Sequence, residues 1–189
     1  MIKTKKDLKE YLEYEEKKYF KKKPNIIKKI LLRNTSDEKM ILWRYQKYLR
    51  KYEFNLNTNN KLLTILYKYK MQKLGKRYGL HIAPNSVQKG LKIMHLGSVL
   101  VNYNTKIGRD CSLHINVAIV AGGRTNKAPI IGDNCVIGVG ATLLGEITIG
   151  DNCAIGAGAV VNKSFGDNVT IAGVPAKVIS NNNSSTWGK

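Results

Sequence analysis

Aliphatic residues recur at every sixth position from 131 to 161: Ile131, Ile137, Leu143, Ile149, Ile155 and Val161. Glycine follows four of them, at Gly132, Gly138, Gly150 and Gly156, and no position of the ladder is polar. A helix needs apolar residues three and four apart and a half-buried strand needs strict alternation, so a six-residue beat fits neither. It fits a parallel β-helix of hexapeptides, in which three hexads make one coil and eighteen residues return the chain to its starting corner. The stretch "IGDNC" begins at Ile131 and again at Ile149, eighteen residues on, so the second copy is expected to stack on the first. Asp133-Asn134, Asp151-Asn152 and Asp167-Asn168 each follow a glycine, and such residues tolerate the left-handed backbone of a sharp corner. Backwards, Ile107, Leu113 and Ile119 keep the phase until Thr125, which predicts a loop in "AGGRTNKAP". Val87, Ile93 and Val99 also keep the step, and an eight-residue gap to Ile107 predicts two extra residues in "VNYNTK". The solenoid is thus expected over residues 79–180, with roughly five coils.

The first 78 residues follow a different rule. Thr4 and Asp7 form a capping-box pattern ahead of Leu8, Tyr11 and Leu12, and Pro24 can open a second helix through Ile26, Ile27, Ile30 and Leu31. A third helix after Ser36 carries Ile41, Trp43, Tyr45, Tyr48 and Leu49; a fourth from about Asn59 carries Leu62, Leu63, Leu66, Tyr69 and Leu74 and is capped by Gly79. Residues 1–78 hold 23 Lys or Arg against 8 acids, and residues 79–189 hold 9 against 5, so the basic excess belongs to the helical domain. Residues 181–189, "NNNSSTWGK", read as a polar flexible tail. The charged start offers no signal peptide or membrane span, so a cytoplasmic location is expected, with peripheral contact at the inner face of the membrane. Cys111, Cys135 and Cys153 each fall four residues after a ladder aliphatic, where they read as buried small hydrophobes; no metal site is expected.

Chemistry in the solenoid narrows to His81, His95 and His114. His95, two positions after the ladder residue Ile93, projects outward and is the candidate general base. The glycine strings "GVGATLLG" and "GAGAVV" stand in phase with the ladder, so they signal close backbone approach and not a nucleotide fingerprint.

Residues 79–179, through "GLHIAPNSVQKGLKIMHLGSVLVN", "IGRDCSLHINVAI", "APIIGDNCVIGVGATLLGEITIGDNCAIGAGAVV" and "TIAGVPAKVI", resemble the left-handed parallel β-helix acetyltransferases of the serine acetyltransferase type. "LKEYLEYEEKKY" and the helices after it further resemble relatives linked to bacterial surface polysaccharides. The resemblance implies a homotrimer with acetyl-coenzyme A in a groove between solenoids and direct attack of an acceptor hydroxyl. His95 matches the family's catalytic histidine. Gly138, Val139, Gly156 and Ala157 are the positions expected along the pantetheine arm, and Lys163 and Lys177 the cations for its phosphates.

Three positions depart from the family pattern. His81 stands where a carboxylate orients the catalytic ring, Met94 stands where an aspartate precedes it, and Ala128 replaces a histidine that helps bind the amino acid. These losses lead to the expectation of a sugar acceptor in a capsular polysaccharide or its precursor, with His81 and His114 on the acceptor side and free serine as the alternative. The charge of +19, with nine of ten tyrosines in the basic domain, raises nucleic-acid binding as a remote alternative, but the bland reading is solvated helix faces and no nucleic acid is expected. A metal-dependent lyase on the same solenoid would need all three histidines, and their spacing does not match.

Overall fold

The computed structural model describes residues 1–21, 37–123 and 125–187. The chain divides into two compact units, Met1–Tyr78 and Gly79–Lys189.

The first unit contains α1 (Lys5–Tyr19), α2 (Glu38–Asn57) and α3 (Lys61–Tyr78). The capping box is present: the Asp7 amide donates to Thr4 Oγ1 at 3.0 Å and the Thr4 amide to an Asp7 oxygen at 2.8 Å. The helix expected after Pro24 lies outside the described residues. α2 supplies the core, burying Ile41, Leu42, Trp43, Tyr45 and Leu49. Its Arg50 is fully buried and donates from Nε and Nη2 to Glu15 of α1 and from Nη1 to Glu53. α3 departs from expectation. Leu62, Leu63, Leu66 and Tyr69, the residues that predict it, are exposed, and the helix buries Met71 and Gly75 instead. Its last residue is followed by Gly79 at φ +75°, a left-handed terminator that glycine adopts without strain.

The second unit is the left-handed parallel β-helix. Sheet A runs β1-β3-β6-β9-β12, sheet B runs β4-β7-β10, and sheet C runs β2-β5-β8-β11-β13-β14. The strands in chain order are β1 (Leu80–Ile82), β2 (Lys92–Ile93), β3 (Val99–Val101), β4 (Lys106–Ile107), β5 (Ser112–Leu113), β6 (Val117–Val120) and β7 (Ile130–Ile131). They continue as β8 (Val136–Ile137), β9 (Thr142–Leu144), β10 (Thr148–Ile149), β11 (Ala154–Ile155), β12 (Val160–Val161), β13 (Thr170–Gly173) and β14 (Ala176–Ser180). Isolated bridges from Val87 to Ile107 and from Ile149 to Phe165 complete sheet B, giving five coils. Every ladder aliphatic faces inward and is buried.

The repeated "IGDNC" forms the corner between sheets B and C. Asn134, Asn152 and Asn168 have φ of 58°, 57° and 59°, with Asp110 at 57° below them. Beside them runs a ladder of backbone amides on carboxylates: Arg109 N to Asp133 Oδ1 at 2.7 Å, Asp133 N to Asp151 Oδ1 at 2.7 Å, and Asp151 N to Asp167 Oδ1 at 2.8 Å. Each aspartate thus satisfies an amide of the coil before it, which is why the motif needs its copy one coil away. Inside the same corner, the buried Cys135 and Cys153 thiols each donate to the carbonyl of a neighbouring coil, Gly150 and Gly166. Hydrogen bonding to Cys111 and burial push the Cys135 thiol up to about 12.

Three expectations are corrected. The two extra residues lie not in "VNYNTK" but in the step from Ile93 to Val101, because Ile93 registers with Leu113 and Val101 with Ile119. The closing segment extends the parallel stack by one strand only: β13 pairs parallel with β11, and β14 folds back on β13 antiparallel. The tail residues Ser184–Trp187 make a 3-10 turn; Ser184 is 2% exposed, its amide donates to Asn152 O and its hydroxyl to Asn134 O.

Candidate active site

Stacked corners between sheets C and A form a single column on the solenoid. The coils contribute, in order, residues 94–98, His114-Ile115-Asn116, Gly138-Val139-Gly140, Gly156-Ala157-Gly158 and Ala172-Gly173. Backbone bonds fix this register: Met94 N to Leu113 O at 2.9 Å, His114 N to Ile137 O at 3.0 Å, Gly138 N to Ile155 O at 2.8 Å and Gly156 N to Ile171 O at 2.8 Å. Successive corners are therefore about one strand spacing apart, ~4.8 Å.

His95 sits at the wide end of this column. The two-residue insertion lengthens its corner, and its side chain is exposed. The neighbouring coil brings His114 beside it, with ring centroids 6.4 Å apart and planes inclined by 47°. Burial, ahead of the positive charges of His95 and Lys92, holds the His114 imidazole below its ordinary value and so favours its neutral form. Lys92, on β2, is a contributor that the sequence pattern did not single out; its position one residue before a ladder aliphatic in the histidine coil was the available signal.

The small residues continue from the histidines in a line. A Cβ on Gly138 would stand 2.6 Å from Ile155 O and 2.8 Å from Ala157 N, so only glycine permits this approach of coils. The Gly138, Gly140, Gly156 and Gly158 amides all donate to carbonyls of adjacent coils. The amides of Val139 and Ala157, which are exposed residues, have no such partner among the described residues. These four glycine amides are thus already engaged, whereas the exposed Val139 and Ala157 amides are open to a ligand.

Not every sequence-predicted residue joins the column. Lys177 on β14 registers with Ala172, next to the column's far end. Lys163 lies at the corner between sheets A and B, with Nζ 5.5 Å from the Phe165 ring centroid. His81 is exposed within β1, in register with Leu100 of β3, and so stands on the face of sheet A rather than at the corner. Ala128, two residues before β7, is 7% exposed and leads into sheet B. Among the described residues no three His, Cys, Asp or Glu side chains are grouped to hold a metal, and no helix is long and apolar enough to cross a membrane.

Residues 128–163 match the family model described as bacterial transferase hexapeptide (six repeats). Serine acetyltransferase of Buchnera aphidicola from Acyrthosiphon pisum is 30% identical over 128 residues, covering 66% of this chain and 46% of that protein. Serine acetyltransferase of Mycobacterium tuberculosis is 32% identical over 114 residues, covering 58% of this chain and 49% of that protein. The matched part thus spans less than half the length of these curated relatives. Among solved structures, serine acetyltransferase of Brucella abortus in complex with coenzyme A superposes with a TM-score of 0.73 at 21% identity, covering 95% of this chain and 70% of that one. These likenesses overturn the expected polysaccharide acceptor, since the relatives are named for serine. Of the three departures, Met94 is a half-buried corner residue beside His95, His81 stands on a sheet face and Ala128 is buried where the chain enters sheet B.

Proposed function

Starting from a hexapeptide-repeat solenoid related to serine acetyltransferases, we propose that this chain transfers the acetyl group of acetyl-coenzyme A to the hydroxyl of serine. The observation that carries the proposal is the column, which joins an exposed imidazole, a second imidazole that burial biases toward its neutral form, and two open backbone amides along one edge of the solenoid. His95 takes the proton of the serine hydroxyl as its oxygen attacks the thioester carbonyl. The C–S bond then breaks and the imidazolium returns the proton to the leaving sulfur. Such proton transfer contributes about 10²–10⁴-fold.

The co-substrate's pantetheine arm lies along the small residues, with its amides on the Val139 and Ala157 N–H groups, and Lys177 at the column's end faces its phosphates. Gly138 and Gly156 keep the wall flat enough for the arm to approach. Lys92 gives positive charge beside the histidines, where the serine carboxylate would stand. The site is completed by a neighbouring solenoid in a homotrimer, which supplies the second wall of the groove.

The test is thiol release from acetyl-coenzyme A with serine as acceptor. Wild type releases free thiol in proportion to serine consumed, and His95→Ala loses about 10²–10⁴-fold in kcat/KM. An unchanged rate for His95→Ala removes the base assignment, and no release with serine removes the acceptor.

A further inference from the structure

The helix α3 carries an outward stripe that its own unit leaves uncovered. Leu62, Ile65, Leu66 and Tyr69, at helical i, i+3, i+4 and i+7 spacing, are all exposed; Leu62 is 83%, Ile65 67% and Tyr69 61% accessible. Lys73, Lys76 and Arg77 continue the same stripe toward the C-terminal end, and Lys61, Lys68 and Lys70 flank it. The helix has six basic residues and not one acid. A contiguous apolar patch of this kind marks a binding surface, and the charge around it says of which sort.

We infer that this face of α3 docks on an anionic lipid surface, lying parallel to it. The apolar side chains enter the boundary between headgroups and acyl chains while the lysines and Arg77 meet lipid phosphates and carboxylates. Charge complementarity selects this occupant over a second copy of the chain, because two such helices face to face would set six cations against six with no acid between them. It also selects it over nucleic acid, since a phosphate backbone rewards the cations but leaves Leu62, Ile65 and Leu66 in water. The whole unit reinforces the attraction: residues 1–78 carry 23 Lys or Arg against 8 acids. The stripe belongs to the first unit and the column of His95 to the second, so the inference does not depend on which acceptor is used there.

The experiment is co-flotation of the full chain with vesicles of phosphatidylserine and phosphatidylcholine, compared with phosphatidylcholine alone. Wild type should float with the anionic vesicles, at least about tenfold more than with neutral ones, and less as salt is raised. The double variant Leu62→Asp/Ile65→Asp, at solvated positions, should lose flotation at least about tenfold while keeping its circular dichroism and its thiol release. Lys73→Glu/Lys76→Glu should lose it similarly. A fluorophore on Ile65→Cys, the native thiols being buried, should shift blue on adding anionic vesicles. The inference is overturned if wild type does not float or if Leu62→Asp/Ile65→Asp floats as well as wild type. It is equally overturned if the thiol introduced by Ile65→Cys is shielded from labelling in the free protein, or if Ile65→Asp lowers the sedimenting mass, which would give the stripe to another copy. Equal retention on RNA by wild type and Leu62→Asp/Ile65→Asp, with no flotation, would assign the charge to nucleic acid.

Discussion

His95 and His114 show how one corner sets the state of its own groups. His114 is held below its ordinary value of 6.5 by burial first, then by the positive charges of His95 and Lys92. Replacing His95 with Gln removes one of the contributions that lower it, so the His114 midpoint, followed by imidazole NMR, should rise but stay under 6.5 because burial persists. The same depression couples to folding. As pH falls through 6.5 the unfolded chain gains this proton before the folded one, so acidification costs stability, and His114→Gln should weaken that dependence in urea melts. Asp133 behaves in the complementary sense. The Arg109 amide, more than its guanidinium, holds the carboxyl below its ordinary value of 3.8. Its contribution is therefore present above 3.8 and lost as pH falls through the lowered value. In a series of Tm against pH, Asp133→Asn should flatten the acid limb.

At the scale of elements, the coil is an arrangement of close approaches, and its corner glycines are not equivalent. A methyl on Gly138 would meet backbone atoms of the next coil at 2.6 and 2.8 Å, so nothing flexible can move aside. Gly138→Ala should cost about 1–3 kcal/mol in chemical denaturation. Gly166 is also a corner glycine, yet a methyl there would meet nothing within 4 Å, and its φ is not positive. There Gly166→Ala should be neutral or stabilise by about 0.4–1 kcal/mol, by restricting the unfolded chain. The extra residues at the His95 corner are the opposite device: a local lengthening that lifts a side chain off the wall without disturbing Ile93 or Val101, both of which stay buried.

For the whole molecule, the proposed homotrimer gives the column its second wall from a neighbouring copy, and the solenoid exposes the apolar side chains Leu100, Ile130 and Val139. Sedimentation equilibrium should return three times the chain mass, and a monomer that turns over serine would refute a shared site. The sequence by itself determined the solenoid, because a six-residue period and the Asp-Asn corners are local constraints that every coil repeats; Ile131, Ile137, Leu143, Ile149, Ile155 and Val161 are all buried as the pattern requires. It also placed His95 outward, two positions after the ladder residue Ile93, and the structure exposes it there. Register decided the rest. Only the pairing of Ile93 with Leu113 and Val101 with Ile119 located the insertion, brought His114 against His95 and aligned both with Val139 and Ala157, since residues far apart in the chain meet through the stack. Likewise α3 was legible as a helix from Leu62, Leu66 and Tyr69, yet periodicity marks a face without saying what lies against it. Packing on α2 turned those residues to the outside.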